Sequence, residues 1–473
     1  MRVNDPKVAV CVVYVAAMFM NGMDATIVNV ALPAIGAEFG VPPSATSAIN
    51  IGYLVSLAVC IPVSGWLGDR FGTKKVFLAA FGAFVLASAL CGAAQDLTQL
   101  TLARIVQGAG GGVLSPVALT MLFRAYPPQE RIKLSRLLVI PTAVAPALGP
   151  VLGGLFVEQL TWRWGFFVNV PFGVLALVYG ALRLREHVES VHKRFDLVGF
   201  ALAAPGLGLL MYALDAVSMR GPGSPHFYLA GAVGVGCLVA LVVSQLRSRQ
   251  PMLDVRLFGD ASFRRASLIL ATCVAGFLGT LYGFTLMYQS GMGASPWETG
   301  LVTLPKAVGL MVASQAVTWA HPKWGPRLLI AVAMLGAAGS FAAMNLVTGP
   351  LSAGVVQFAS GFFVGAASIE LQVVAFATIS ATATGGASTL FNVQRQVGSA
   401  LGVAVTAGVL AIGGAGSSGS LGVYHFAMLV SAGFALLGVL VALRIKNPGE
   451  LGATAGRAAD AGDGADAVPA GRG

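Results

Sequence analysis

Charged residues fall inside otherwise apolar stretches of the chain, among them Asp24, Arg104, Lys306, Glu370 and Arg395. Asp24 stands out, because Met23-Asp24-Ala25-Thr26-Ile27-Val28-Asn29-Val30 sets a carboxylate in an apolar helix with no obvious local partner. A charge at the bilayer centre costs about 2.5–3.5 kcal/mol on insertion scales, so an intramembrane acid is a functional hypothesis by default. Such a group can take up and release a proton, or it can neutralise a buried cation.

Depth along the helices selects the partners. Asp24 lies about 16 residues, or roughly 24 Å, from the start of its helix, and Arg104 lies about 7 residues, or roughly 10 Å, from the start of its own at the other side. In a core of about 30 Å both fall in the outer half, where a direct or water-mediated pair is possible. Asn21 shares a helix face with Asp24 and can hydrogen-bond there. By the same arithmetic Glu370 and Arg395 each lie roughly 14 Å from the inner face and could pair, with Lys306 a second candidate. Two readings of Glu370 stay open: a structural counter-ion, or a residue facing an internal cavity, where it could bind a cation or a second proton.

These residues need helices to carry them, and the composition supplies helices of one kind. The 473 residues are 56% hydrophobic and 10% charged, with a mean hydropathy of +0.80, which excludes an ordinary soluble domain. Apolar runs of about 20 residues place spans near 8–36, 45–68, 75–94, 97–123, 132–157 and 163–184. Further runs lie near 196–216 and 227–246, then 266–289, 298–320, 327–348, 351–380, 386–412 and 421–444. The expected fold is an all-α integral membrane protein of 14 transmembrane helices. It divides into a six-helix bundle over 1–185, an inserted transmembrane hairpin with its linkers over 186–250, a second six-helix bundle over 251–445 and a disordered tail over 446–473.

The net charge of +10 does not point to nucleic acid, because the basic residues sit in short loops between spans. Of the 29 Lys and Arg, all but five are assigned to one face: Arg163 and Arg220 go to outer loops, and Arg104, Lys306 and Arg395 lie inside helices. That bias sets both termini in the cytoplasm, in a multi-pass protein of the cytoplasmic (inner) membrane. The apolar start, carrying Arg2 and Lys7, reads as the first span rather than a signal peptide. Cys11, Cys60, Cys91, Cys237 and Cys273 lie in apolar runs without metal or disulfide spacing. The five histidines lie near loops or span ends without metal-ligand clustering, and no phosphate-binding Gly-rich loop with its Lys is present. No metal, cofactor or enzyme activity is expected.

Four stretches carry a resemblance. Gly65-Trp66-Leu67-Gly68-Asp69-Arg70-Phe71-Gly72-Thr73-Lys74-Lys75 joins two spans; its glycines permit a tight turn, and Asp69 can sit against a positive helix N-terminus. Leu102-Ala103-Arg104-Ile105-Val106-Gln107-Gly108 precedes three further glycines. Pro146-Ala147-Leu148-Gly149-Pro150-Val151-Leu152-Gly153-Gly154 combines small residues that let backbones approach with prolines that invite kinks. Trp162-Arg163-Trp164 precedes Phe167-Val168-Asn169-Val170-Pro171. In order and spacing these, with the Asp24 stretch, resemble the signatures of the major facilitator superfamily, and of its fourteen-helix drug:proton antiporter branch in particular.

The resemblance implies a proton-coupled exporter of drugs or other amphipathic toxic compounds, working by alternating access on a small-molecule substrate. The proton gradient is its energy source and the lipid bilayer its surroundings. It is expected to function as a monomer, and no partner protein for export across an outer envelope can be named. Asp24, Arg104 and Glu370 become proton-coupling candidates. Gly65, Asp69, Arg70 and Gly72 form the cytoplasmic loop motif, and Pro146, Gly149, Pro150, Gly153 and Gly154 form the antiporter motif of a moving fifth helix. Arg395-Gln396-Val397-Gly398 matches a thirteenth-helix motif, whereas Glu370 departs from the pattern, and Pro322 stands where a second loop motif would have its Asp. An exporter of a dedicated metabolite such as an antibiotic, amino acid or siderophore shares the same motifs. A non-transporting sensor would carry a large soluble output domain, which this sequence lacks. The aromatics Tyr53, Tyr282, Tyr288 and Phe284 are candidate cavity residues.

Overall fold

The computed structural model describes residues 6–126, 144–146, 148–186, 195–220, 224–248, 251–380, 383–414 and 421–444, and its regular structure is helical throughout. The N-half comprises α1 (Pro6–Phe39), α2 (Ser47–Cys60), α3 (Val63–Phe71), α4 (Thr73–Ala93), α5 (Leu97–Ala125), α6 (144–146 and 148–159), α7 (Trp164–Phe167) and α8 (Asn169–Arg183). A hairpin of α9 (Leu197–Arg220) and α10 (Pro225–Arg247) follows. The C-half comprises α11 (Ala261–Leu286), α12 (Pro296–Ala343), α13 (Pro350–Phe376), α14 (Thr384–Ile412) and α15 (Leu421–Ala442). The expected tail and the first part of the expected fifth span lie outside the described residues.

Among the described residues, ten helices are long and apolar enough to cross a membrane, or eleven if the bent pair α2–α3 counts as one span. An α-helix satisfies its own backbone polar groups, which hydrocarbon cannot do, so apolar runs of this length fold as helices. Their ends are set by polar caps. Asp96 accepts from Gln99 N (2.8 Å) at the start of α5, Asp260 from Phe263 N (2.7 Å) at α11, and Ser295 from Glu298 N (3.1 Å) at α12. Pro225, Pro296 and Pro350 occupy first-turn positions, where the missing N–H is harmless.

Two spans differ from a simple reading of hydropathy. The second is broken at Ile61-Pro62, where the absent proline N–H lets α2 and α3 meet at 53°. The other difference is α12, whose 48 residues would extend about 72 Å if straight, more than twice the thickness of a hydrocarbon core. The expected polar loop near 321–326 is a single non-helical residue, Gly325, at φ 70°. The chain reverses there, since Gly309 and Gly336 lie against neighbouring residues of α13, Phe362 and Phe363. Gly72, at φ 93°, makes the same kind of one-residue break between α3 and α4.

The bundle therefore has two ends. One carries Gly72, Glu186, Asp260 and Gly325. At this Gly72 end Glu186 accepts from Lys74 N (3.0 Å) and Lys75 N (3.2 Å), and Thr378 Oγ1 donates to Asp260 (3.0 Å). The opposite, Glu38 end is held by Trp162 Nε1 and Arg163 Nη1, each donating to Glu38 at 2.6 Å, while Arg163 Nη2 reaches the carbonyl of Ala94 (2.9 Å). The α9–α10 hairpin packs against itself, and α9 lies against both α2 and α14.

Candidate functional site

Asp24 and Arg104 are fully buried, and Arg104 Nη1 lies 2.5 Å from Asp24 Oδ2. α1 brings the acid and α5 the cation, and two further helices complete the shell. Gln107, one turn along α5, donates to Asp24 Oδ1 (2.9 Å) and accepts from Arg104 Nη1 (2.8 Å). Asn169 of α8 donates to the same Oδ1 (3.0 Å) and lies 3.1 Å from Ser88 Oγ of α4. Asn21, the residue expected to bond Asp24, turns elsewhere: it donates to Ser115 Oγ (2.9 Å) and accepts from Tyr53 OH (2.5 Å). The residues that replace it, Gln107 and Asn169, stand inside the fourth- and sixth-helix motifs. A polar side chain in an apolar run was the signal available for both.

Both oxygens of Asp24 are thus hydrogen-bonded, and the guanidinium also stacks on Tyr53, its Cζ 4.1 Å from the ring centroid. Removing one member of a buried pair strands the other charge and costs about 3–5 kcal/mol. The enclosure also shuts Asp24 off from solvent.

Tyr53 has the pair on one side and a cavity on the other. The cavity lies between the halves in two connected compartments of about 500 and 530 Å³ that share Tyr53, Asn392, Arg395 and Gln396. Its N-half face carries Thr26, Asn29, Asn50 and Pro146, and its C-half face an apolar wall from α11 together with Gln372 and Arg395. The outer compartment reaches Tyr14, Ile61, Leu119 and Thr389, all toward the Gly72 end.

The Glu38 end is shut. Gln289 Nε2 donates to the carbonyl of Val30 (3.0 Å), Tyr282 OH to that of Ser44 (3.3 Å), and Trp297 N to Glu158 (3.1 Å), each bond crossing from one half to the other. Between these bonds runs a seam of bare backbone. A Cβ on Gly154 would strike the carbonyl oxygen of Pro296, and one on Gly300 that of Pro150. On its other face α6 packs Gly149 against Met23 and Thr26, and Gly153 against Ile27, while Thr26 Oγ1 donates to the carbonyl of Pro146 (3.1 Å). α6 is therefore wedged between the helix that carries Asp24 and the start of α12.

The C-half charges are arranged differently from expectation. Glu370 pairs with neither Arg395 nor Lys306: His321 Nδ1 lies 2.9 and 3.0 Å from its two oxygens. Depth fixed the level but not the direction around the helix. Glu370 is fully buried and is not among the residues of α13 that line the cavity, which are Val364, Ser368, Ile369, Gln372 and Phe376. Glu370 is thus a hydrogen-bond partner of His321 and stands off the cavity wall. Lys306 is buried, with Nζ unpaired among the described residues and 4.7 Å from the Phe277 ring centroid. Arg395 stands exposed in the cavity.

Of the four aromatics, Tyr53 alone lines the cavity. Tyr282 and Phe284 are buried, and Tyr288 stacks on Phe284 and donates to Glu298 (3.0 Å). In the loop motif, Gly65 and Asp69 lie on α3, and Arg70 sits over the rings of Trp66 and Phe71 at 5.9 and 5.8 Å. The acid accepting from the first amides of α4 is Glu186, which the sequence offered only as part of a charged break.

A central cavity between two helical halves, open at one end and sealed at the other, is a transport architecture, and residues 14–403 match the family described as Major Facilitator Superfamily. The chain belongs to the Major Facilitator Superfamily. Over 408 residues it is 30% identical to the multidrug resistance protein B homolog of Mycobacterium tuberculosis (strain H37Rv), covering 83% of this chain and 74% of that protein. It is 34% identical over 324 residues to the putative multidrug resistance protein MdtD of Escherichia coli (strain SMS-3-5), covering 67% of each. In fold it is similar to the nucleoside transporter NupG, with a TM-score of 0.66 at 12% identity over 93% of this chain and 99% of that one. Superfamily membership points to an integral membrane transporter acting on a small molecule rather than to an enzyme.

Proposed function

We propose that this superfamily member is a proton-coupled antiporter that exports drugs or other amphipathic compounds across the inner membrane. In this reading it has fourteen spans, arranged as six, two and six, with both termini in the cytoplasm, and it works as a monomer. The names of its bacterial relatives support drug export. The observation that carries the proposal is the enclosed Asp24–Arg104 pair, one aromatic ring away from a cavity of drug-sized volume.

The geometry suggests how the two are linked. The Gly72 end faces the cytoplasm, so the cavity loads from inside while the Gly154–Gly300 seam keeps the outer side shut. Substrate binding in the cavity displaces the Asp24 proton to the cytoplasm, the freed carboxylate anchors Arg104, and the guanidinium moves with Tyr53, the residue it shares with the cavity wall. Because α6 bears on the Asp24 helix with one face and on α12 with the other, a shift at Asp24 reaches the seam. Opening the seam releases substrate outward and exposes the pair to the proton-rich side.

The test is substrate-induced proton release from purified protein in weak buffer. Wild type is expected to release protons on binding, and Asp24→Asn to bind substrate without release. Gradient-driven export by a folded Asp24→Asn variant would sink the proposal.

A further inference from the structure

Among the described residues, neither intramembrane acid lines the cavity. Asp24 is enclosed by Arg104, Gln107 and Asn169, and Glu370 by His321, and both are fully buried. Among the described residues lining either compartment, the one charged side chain is Arg395. Its guanidinium makes no hydrogen bond or ion pair with any described residue, and its side chain is exposed in the cavity. A second basic group stands behind the apolar wall: Lys306 Nζ, without a hydrogen-bond partner among the described residues, lies against Phe277, whose ring lines the cavity.

An unneutralised cation inside a membrane bundle is costly, and a neighbouring anion relieves that cost. The guanidinium also offers a planar fork of donors that matches carboxylate or sulfonate oxygens two at a time. In the same cavity, Leu270, Val274, Phe277, Leu278 and Leu281 present an apolar surface from α11, the helix packed beside the one that carries Arg395. We infer that the cavity takes amphipathic organic anions, with Arg395 the counter-ion to the substrate's carboxylate or sulfonate and the α11 wall receiving its apolar body. A lipophilic cation in the same place meets Arg395, with no acid among the described lining residues to balance it. The inference rests on the exporter reading and narrows it to a charge class.

Three probes with one apolar body isolate the charge: 1-pyrenebutyrate, the neutral 1-pyrenebutanol and the cationic 4-(1-pyrenyl)butylamine. Equilibrium binding of each, radiolabelled, is measured on the full chain in nanodiscs of zwitterionic lipid, with empty nanodiscs subtracted. Wild type is expected to bind the butyrate most tightly and the amine least. Arg395→Gln should weaken butyrate binding roughly 10- to 100-fold and leave the alcohol within about twofold, and Arg395→Lys should recover part of the loss. Amine binding equal to or tighter than butyrate binding in wild type overturns the inference without any variant. So does a loss in Arg395→Gln that is the same for all three probes, which would make Arg395 a structural residue. Because no pH gradient is applied, the two readings fail separately. The expected ranking without proton release overturns proton coupling alone, and proton release with the reversed ranking overturns the anion preference alone.

Discussion

Replacing Gly300 by Ala should open the sealed end of the protein. The methyl would overlap the carbonyl oxygen of Pro150, which is backbone of the opposite half and cannot rotate away. Overpacking of a fitted contact costs about 1–3 kcal/mol. The contact exists only while the halves meet at the Glu38 end, so the whole cost falls on that conformation. The added helix propensity of Ala, about 1 kcal/mol, applies to both conformations and cancels. The equilibrium should therefore move toward an open Glu38 end by a factor of roughly 5 to 150. Double electron–electron resonance between spin labels on Thr161 and Leu346, both exposed at the Glu38 end and in opposite halves, would report the change as a longer-distance population. Gly339, on the same helix with open space at its Cβ position, supplies the control. An unchanged distance distribution in Gly300→Ala, or the same shift in Gly339→Ala, would refute the reasoning.

Two further outcomes follow from the geometry. Asp24→Asn and Arg104→Gln should each lower stability by about 3–5 kcal/mol, because each strands a buried charge or its donors, while the double variant should lose clearly less than the sum. Thermal unfolding of the detergent-solubilised protein measures this cycle, and strict additivity would mean that the pair is not coupled. Gly72→Ala should destabilise the α3–α4 connection by about 1–2 kcal/mol, since φ 93° crowds a Cβ against the following carbonyl. Raised proteolysis at that connection, absent in Gly65→Ala where the added methyl meets nothing, is the expected readout.

Much of this site was legible because hydrophobic periodicity and rise per residue set the level of a side chain in a bundle. Asp24 and Arg104 could be placed at one depth, and the structure has them in contact. Level does not give azimuth. Glu370 and Arg395 share a depth too, yet they point from different helix faces, and the acid finds His321 at a helix end that looked like loop. The same gap hid the shell: Gln107 and Asn169 are ordinary polar residues until four helices bring them to one carboxylate. The glycine seam was legible as small-residue spacing in α6, but its partner Gly300 carries no motif and emerged only from packing across the halves.

The hairpin α9–α10 has a consequence for how a membrane-dissolved compound could arrive. The halves meet along two flanks, one formed by α2 with α14 and the other by α6 with α12, and α9 lies over the first against both of its helices. That flank is thereby screened from the acyl chains. A compound partitioned in lipid would have to displace α9 to pass between α2 and α14, so the hairpin restricts which side of the molecule the leaflet can deliver cargo to.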